Sequence, residues 1–203
     1  MAYSGVKLSD GDYTSAFGAG SLGNAGVSAN TTAIGYGSLS GTSFSFYEAD
    51  NNTALGYRSG AVISDGANNN LLLGYQAADN LTTGSNNLII GYDVDVASST
   101  GSGQLNIGNA IFGTGLTATG TDVFSGNIGI GTTSPYAKLS VDGDLALTGG
   151  IYDNNASLGT SGMVLQTTGS GVQWVATSSL GISGGGGGGS SLFTDAGATT
   201  YLT

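Results

Sequence analysis

The side chains able to do chemistry in this sequence are few, and most of them are carboxylates. Asp10 and Asp12, Asp93 and Asp95, and Asp142 and Asp144 form pairs two residues apart, a spacing that in a strand sets both groups on one face. Such a pair can hydrolyse a glycosidic bond when a cleft holds the carboxylates about 5–9.5 Å apart. It can also bind calcium, which prefers hard oxygen ligands. The surrounding sequence supports neither use. Nothing reads as a cleft, and both the EF-hand spacing and the Gly-Gly-x-Gly-x-Asp repeat are missing. Solvated turn acids are the better reading, with no metal and no cofactor expected. The chain has no histidine and no cysteine, which removes Ser-His-Asp and Cys-His nucleophiles, imidazole and thiolate metal sites, and disulfides. Gly129-Ile130-Gly131 lacks the helix pattern that must follow a dinucleotide fingerprint. The expectation is a protein that is not an enzyme.

Two other groups of side chains point to binding. Tyr36, Tyr57, Tyr75 and Tyr92 each follow a glycine in a repeated setting. Such a row can stack coil on coil with its hydroxyls in water, the preferred reading, or offer rings to sugars. The stretch from Gly41 to Asp50 is an insertion between repeats, and it carries Phe44, Phe46, Tyr47, Glu48 and Asp50. Insertions in repeat proteins map to loops on one face, often the binding face. These five are the candidate ligand-contacting residues, and the preferred reading of the loop is that it tucks its aromatics against a neighbouring chain. Arg58 is expected to pair with Asp79 or with an acidic neighbouring chain.

The elements that must position these groups announce themselves by repetition. Ala33-Ile34-Gly35-Tyr36, Ala54-Leu55-Gly56-Tyr57, Leu72-Leu73-Gly74-Tyr75 and Ile89-Ile90-Gly91-Tyr92 say the same thing, and Asn106-Ile107-Gly108-Asn109 says it more weakly. A blurred first copy is Ala16-Phe17-Gly18-Ala19. From Gly18 to Gly35, Gly56, Gly74, Gly91 and Gly108 the steps are 17, 21, 18, 17 and 17 residues. A short period repeated this often implies a solenoid with one small supersecondary unit per coil. Polar turns precede the strands: Asn51-Asn52, Asn69-Asn70 and Asn86-Asn87. Asparagine tolerates the left-handed backbone region and can bond its neighbours as a stacked ladder. The glycine after each apolar pair lets another backbone approach closely.

Leu71-Leu72-Leu73 and Leu88-Ile89-Ile90 are continuously apolar. Successive strand side chains point to opposite faces, so both faces of these strands need cover. A thin solenoid has one interior, and the economical partner for the other face is another copy of the chain. Ile34, Leu55, Leu73, Ile90 and Ile107 form one expected ladder, in the core or between chains. Ala33, Ala54, Leu72 and Ile89 form the opposite row, with Asn106 marking the end of the array. Each large aliphatic so covered contributes about 1.5–3 kcal/mol.

These coils resemble the head repeats of trimeric autotransporter adhesins, and similar coils occur in phage tail fibres. The resemblance covers Ser15 to Gly113 and implies a left-handed parallel β-roll in a homotrimer. Further on, Asn127-Ile-Gly-Ile-Gly-Thr-Thr-Ser-Pro135-Tyr-Ala-Lys138-Leu-Ser-Val-Asp-Gly143 is similar to a connector of tail-fibre and fibre-stalk proteins. What the resemblance implies is a non-enzymatic subunit of an extracellular fibre, on a cell surface or a virion. Its role would be attachment to a surface or host, or, alternatively, that of a tail-fibre segment or structural shaft without a ligand. The implied partners are the chain itself and a host-surface glycan or protein.

Composition agrees with that class. Three basic residues against 13 acidic ones give a net charge of −10, which disfavours nucleic acid and anionic membrane surfaces. No stretch is long and apolar enough to cross a membrane, and the opening Met1-Ala-Tyr-Ser-Gly does not read as a signal peptide. The chain is therefore expected to be a piece of a longer secreted protein or to leave the cell by another route. The expected organisation is all-β: a lead-in over 1–30, a solenoid head over 31–113, and a neck over 114–148. A small β module over 149–183 follows, with short strands at Leu145-Ala-Leu147, Met163-Val-Leu165 and Val172 to Val175, and with Trp174 as anchor. A glycine linker over 184–190 and the start of a further module over 191–203 complete it.

Overall fold

A computed structural model describes residues 13–26, 28–42 and 47–180. It is an all-β solenoid of about five turns with almost no helix, and the chain divides into two units between Leu145 and Ala146. In the first unit β1 (Ser15–Phe17), β2 (Thr32–Ile34), β3 (Thr53–Leu55), β4 (Leu71–Leu73), β5 (Leu88–Ile90) and β6 (Leu105–Ile107) pair in parallel, each with the next coil. The register sets like on like: Ala16, Ala33, Ala54, Leu72, Ile89 and Asn106 stand in one column. β7 (Ile111–Gly113) and β8 (Ile128–Ile130) continue the sheet antiparallel, and β9 (Leu139–Val141) joins β8 in parallel.

Every coil obeys the same local grammar. The column of middle residues points inward, and Ala33, Ala54, Leu72 and Ile89 are completely buried. The asparagine pairs divide their labour. The first member, at Asn51, Asn69 or Asn86, has φ of 57°, 60° or 59° and turns the chain. The second, at Asn52, Asn70 or Asn87, is buried and hydrogen-bonds up the stack. Asn70 Nδ2 donates to Asn52 Oδ1 at 3.0 Å, Asn87 Nδ2 donates to Asn70 Oδ1 at 3.0 Å, and each backbone N–H donates to the same oxygen. Thr31 holds the matching place one coil earlier, and Gln104 closes the ladder on Asn87 Oδ1. A buried polar column is tolerated because its donors and acceptors are paired.

The glycine column has a steric cause. Gly74 has φ of 136°, and a Cβ there would stand 1.9 Å from the carbonyl oxygen of Gly91 in the next coil. Only a residue without a side chain permits coils to stack this closely.

The parallel array ends where an asparagine enters the middle column. Asn106 Nδ2 donates to the Asp95 carbonyl and to Asn109 Oδ1, both at 2.9 Å, and Asn109, with φ of 55°, reverses the chain into β7. Beyond it, Asn127, just before β8, donates Nδ2 to the carbonyl of Pro135 in the turn between β8 and β9 at 2.9 Å.

Among its described residues the second unit holds one antiparallel pair, β10 (Met163–Thr167) with β11 (Val172–Ala176), followed by a 3-10 turn over Thr177–Leu180. The expected strand at Leu145 to Leu147 does not form. Among the described residues nothing pairs with this stretch, and both leucines are exposed. The glycine linker and the terminal module lie outside the described residues.

Candidate functional surface

With the middle column turned inward, the first and third residue of each strand face outward. The third column, Ile34, Leu55, Leu73, Ile90 and Ile107, therefore stands outside this chain's core. Its first three members are 39, 44 and 37 % exposed, and Ile90 and Ile107 are half-buried. Phe17 extends the column at its first coil. Leu71, Leu88 and Leu105 form a parallel outer row on the other side of the middle column.

One residue past each coil glycine, the tyrosines stack. The ring centroids of Tyr36 and Tyr57, Tyr57 and Tyr75, and Tyr75 and Tyr92 are 5.4, 5.2 and 5.0 Å apart, and the planes differ by 12°, 10° and 10°. Stacking in this geometry covers both faces of Tyr57 and Tyr75. These rings join coil to coil, and only the terminal rings keep an outer face.

The described insertion residues, Tyr47, Glu48 and Asp50, do not converge on one site. Phe44 and Phe46 lie outside the described residues. Tyr47 is buried in the core, and its hydroxyl donates to the Leu39 carbonyl. Burial pushes that hydroxyl's pKa well above the ordinary tyrosine value. The side chain belongs to the interior and is closed to a ligand. Asp50 is half-buried, and its carboxylate accepts from the Ala29 N–H at 2.7 Å. Glu48 is exposed, and its backbone N–H donates to Asp65 Oδ1 at 2.7 Å. The period does not distinguish an insertion that rejoins the core from one that stands clear of it. The one signal was chemical: of the three aromatics in the insertion, only Tyr47 has a hydroxyl that can bond a backbone carbonyl.

The acids remain turn residues. Asp10 and Asp12 lie outside the described residues, and Asp142 and Asp144 are exposed. Asp93 and Asp95 are exposed on one side, while Val94 and Val96 between and beside them point inward. The Asp95 pKa is raised, first by partial desolvation and then by the charges of Asp79 and Asp93. Among the described residues no group of three or more acids is arranged to hold a metal ion. Arg58 is exposed with φ of 55°. The Asp79 carboxylate accepts instead from Gln76 Nε2 at 2.8 Å.

Sequence reasoning missed Asp153, the organiser of the second unit. Its carboxylate accepts backbone N–H bonds from Asn155 at 2.9 Å, Ser157 at 3.0 Å and Trp174 at 3.1 Å. These bonds, led by Ser157 and Trp174, hold its pKa below the ordinary aspartate value. Trp174 Nε1 donates to the Ile151 carbonyl at 2.9 Å. An acid followed by Asn154-Asn155 was the available sign of a turn built on its side chain. Comparison with known protein families, characterised proteins and solved structures finds no match to this chain.

Proposed function

We propose that this chain is a non-enzymatic subunit of a homotrimeric extracellular fibre that mediates attachment to a surface or host. In this reading the solenoid is a head of the left-handed parallel β-roll type, residues 114–148 are its neck, and a small β module follows. The observation that carries the reading is the outer column. Ile34, Leu55 and Leu73 repeat in register over successive coils and remain exposed. Contiguous apolar surface of this kind marks an interaction site, and a periodic surface is best met by one of equal period. A second copy supplies that period.

A structural shaft or tail-fibre segment without its own ligand is the second reading. It is favoured by the way the insertion returns to the solenoid, with Tyr47 in the core and Asp50 bonded to Ala29. Mass in solution tests the assembly: light scattering should return three times the chain mass, and a stable single-chain species would refute the trimer. Attachment is tested by binding of the purified protein to host cells. Retained binding supports the first reading, and loss of binding on Phe44→Ala with Phe46→Ala assigns it to the insertion. A trimer that binds no cell supports the shaft.

A further inference from the structure

On the outer row beside the middle column, the coil turns and the segment after β7 border an open groove of about 560 Å³. Its floor is Leu71 and Leu88, one wall is Phe124, and Asn69, Asn86 and Asp122 line its rim. The size falls within the roughly 300–1,000 Å³ of small-molecule sites.

The rim is set apart by its hydrogen bonding. Two coils earlier the corresponding asparagines satisfy each other, Asn30 Nδ2 donating to Asn51 Oδ1 at 3.1 Å. At Asn69 and Asn86 only the backbone N–H is engaged, with Asp50 and Asn68 carbonyls, both at 2.9 Å. Asp122 likewise donates its backbone N–H to Thr119. Among the described residues no protein group meets these two side-chain amides or this carboxylate. Their backbones are hydrogen-bonded and their side chains are exposed, so the amides and carboxylate are open to a ligand beside the apolar floor. Phe124 is braced as well. Lys138 Nζ lies 5.5 Å from its ring centroid and donates to the carbonyls of Phe124, Ser125 and Gly126. That cation is occupied, so it offers no free charge to a ligand.

We infer that this groove binds a short neutral oligosaccharide. Primary amides both donate and accept, and a carboxylate accepts. Together they suit vicinal hydroxyls, which also do both. A leucine floor and an aromatic wall suit the C–H face of a sugar ring, whose slightly positive hydrogens meet the negative face of the ring. An anionic ligand is opposed by Asp122 and by the net charge of −10. A purely apolar ligand would leave three rim groups without partners. The groove lies within one chain and does not need the trimer. The proposed attachment function supplies only its use.

The test titrates the full chain with neutral oligosaccharides found on a glycan array, with sialylated and sulfated glycans as controls. Saturable binding of a neutral glycan is expected, with side-chain amide resonances of Asn69 and Asn86 shifting. Asn69→Gly with Asn86→Gly keeps the turn conformation and should weaken binding by about tenfold or more, the loss of one or two hydrogen bonds. Phe124→Leu should do the same, and Asp122→Asn, at an exposed position, gives a variant that leaves the fold intact. Failure of every neutral glycan to bind overturns the inference, as does binding indifferent to all these variants or binding confined to charged glycans. If the variants instead change the solution mass, the groove is a contact between copies and the inference falls. A single-chain species that binds glycan would refute the trimer and leave the groove standing. A trimer that binds no glycan does the reverse.

Discussion

Adjacent asparagines in this chain are chemically identical and do different work, because successive positions differ in backbone region and burial. Asn69 is exposed in the left-handed region, where its penalty is lower than for most residues. Replacing Asn69 with Gly should change stability by less than about 0.5 kcal/mol, whereas Val there should cost about 1–2 kcal/mol. Asn70 is buried, with Nδ2 donating to Asn52 Oδ1 and to the Gly84 carbonyl, both at 3.0 Å. Asn70→Ala leaves the Gly84 carbonyl and the Asn87 backbone N–H without partners and breaks both side-chain links of the ladder, so about 3 kcal/mol should be lost. Urea denaturation of the variants measures both. At the same scale, buried Ser38 Oγ is the one buried side-chain polar atom without a partner among the described residues. Ser38→Ala should therefore be neutral or slightly stabilising, while Ser59→Ala, which loses the bond to the Gly56 carbonyl, should cost about 0.5–1.5 kcal/mol.

Among the elements, the tyrosine stack and the hairpin carry the clearest expectations. Tyr75 has a ring on each side and Tyr92 has one. At about 0.5–1.5 kcal/mol per ring pair beyond area burial, Tyr75→Ala should cost roughly twice the stacking energy that Tyr92→Ala does. A comparable loss from both would mean the rings are neighbours without mutual attraction. The hairpin depends on Asp153, whose folded pKa lies below its ordinary value. A depressed pKa stabilises the fold above the ordinary aspartate value and loses that contribution as pH falls through the folded one. The second unit should therefore lose stability progressively as pH falls below about 4, the ordinary aspartate value. Trp174, the one tryptophan of the chain, reports this by fluorescence, and Asp153→Asn should remove the acid transition while weakening the hairpin at neutral pH. Asp95 in the first unit has the opposite sign. Its raised pKa means the ionised form is disfavoured in the fold, so protonation as pH falls from neutral toward that pKa adds a little stability. Exposure and solvent screening keep the effect small.

For the whole molecule, Leu72 and Leu73 give the sharpest contrast. Leu72 is fully buried in the middle column, and Leu73 beside it is 37 % exposed. Leu72→Asp should abolish folding, since an unpaired buried charge costs several kcal/mol. Leu73→Asp should leave the single-chain fold intact by circular dichroism yet lower the solution mass from trimer to single chain. A Leu73→Asp protein that keeps its mass would place the interface elsewhere.

The sequence alone determined the repeat, its register, the turning asparagines and the glycine column, because all of these are short-range. The period set by Gly18 to Gly108 fixes which residues meet in the next coil, and a glycine that must admit a carbonyl cannot be replaced without breaking the stack. Only the tertiary structure decided which of two adjacent apolar columns became the interior. Ala33-Ile34 and Leu72-Leu73 read equally apolar in both places, and a strand's alternation does not say which face the chain will close around. The same holds for Tyr47 and Asp153. Their roles depend on carbonyl and N–H groups of residues 8 positions away, at Leu39, and 21 away, at Trp174, brought near only after the chain has folded.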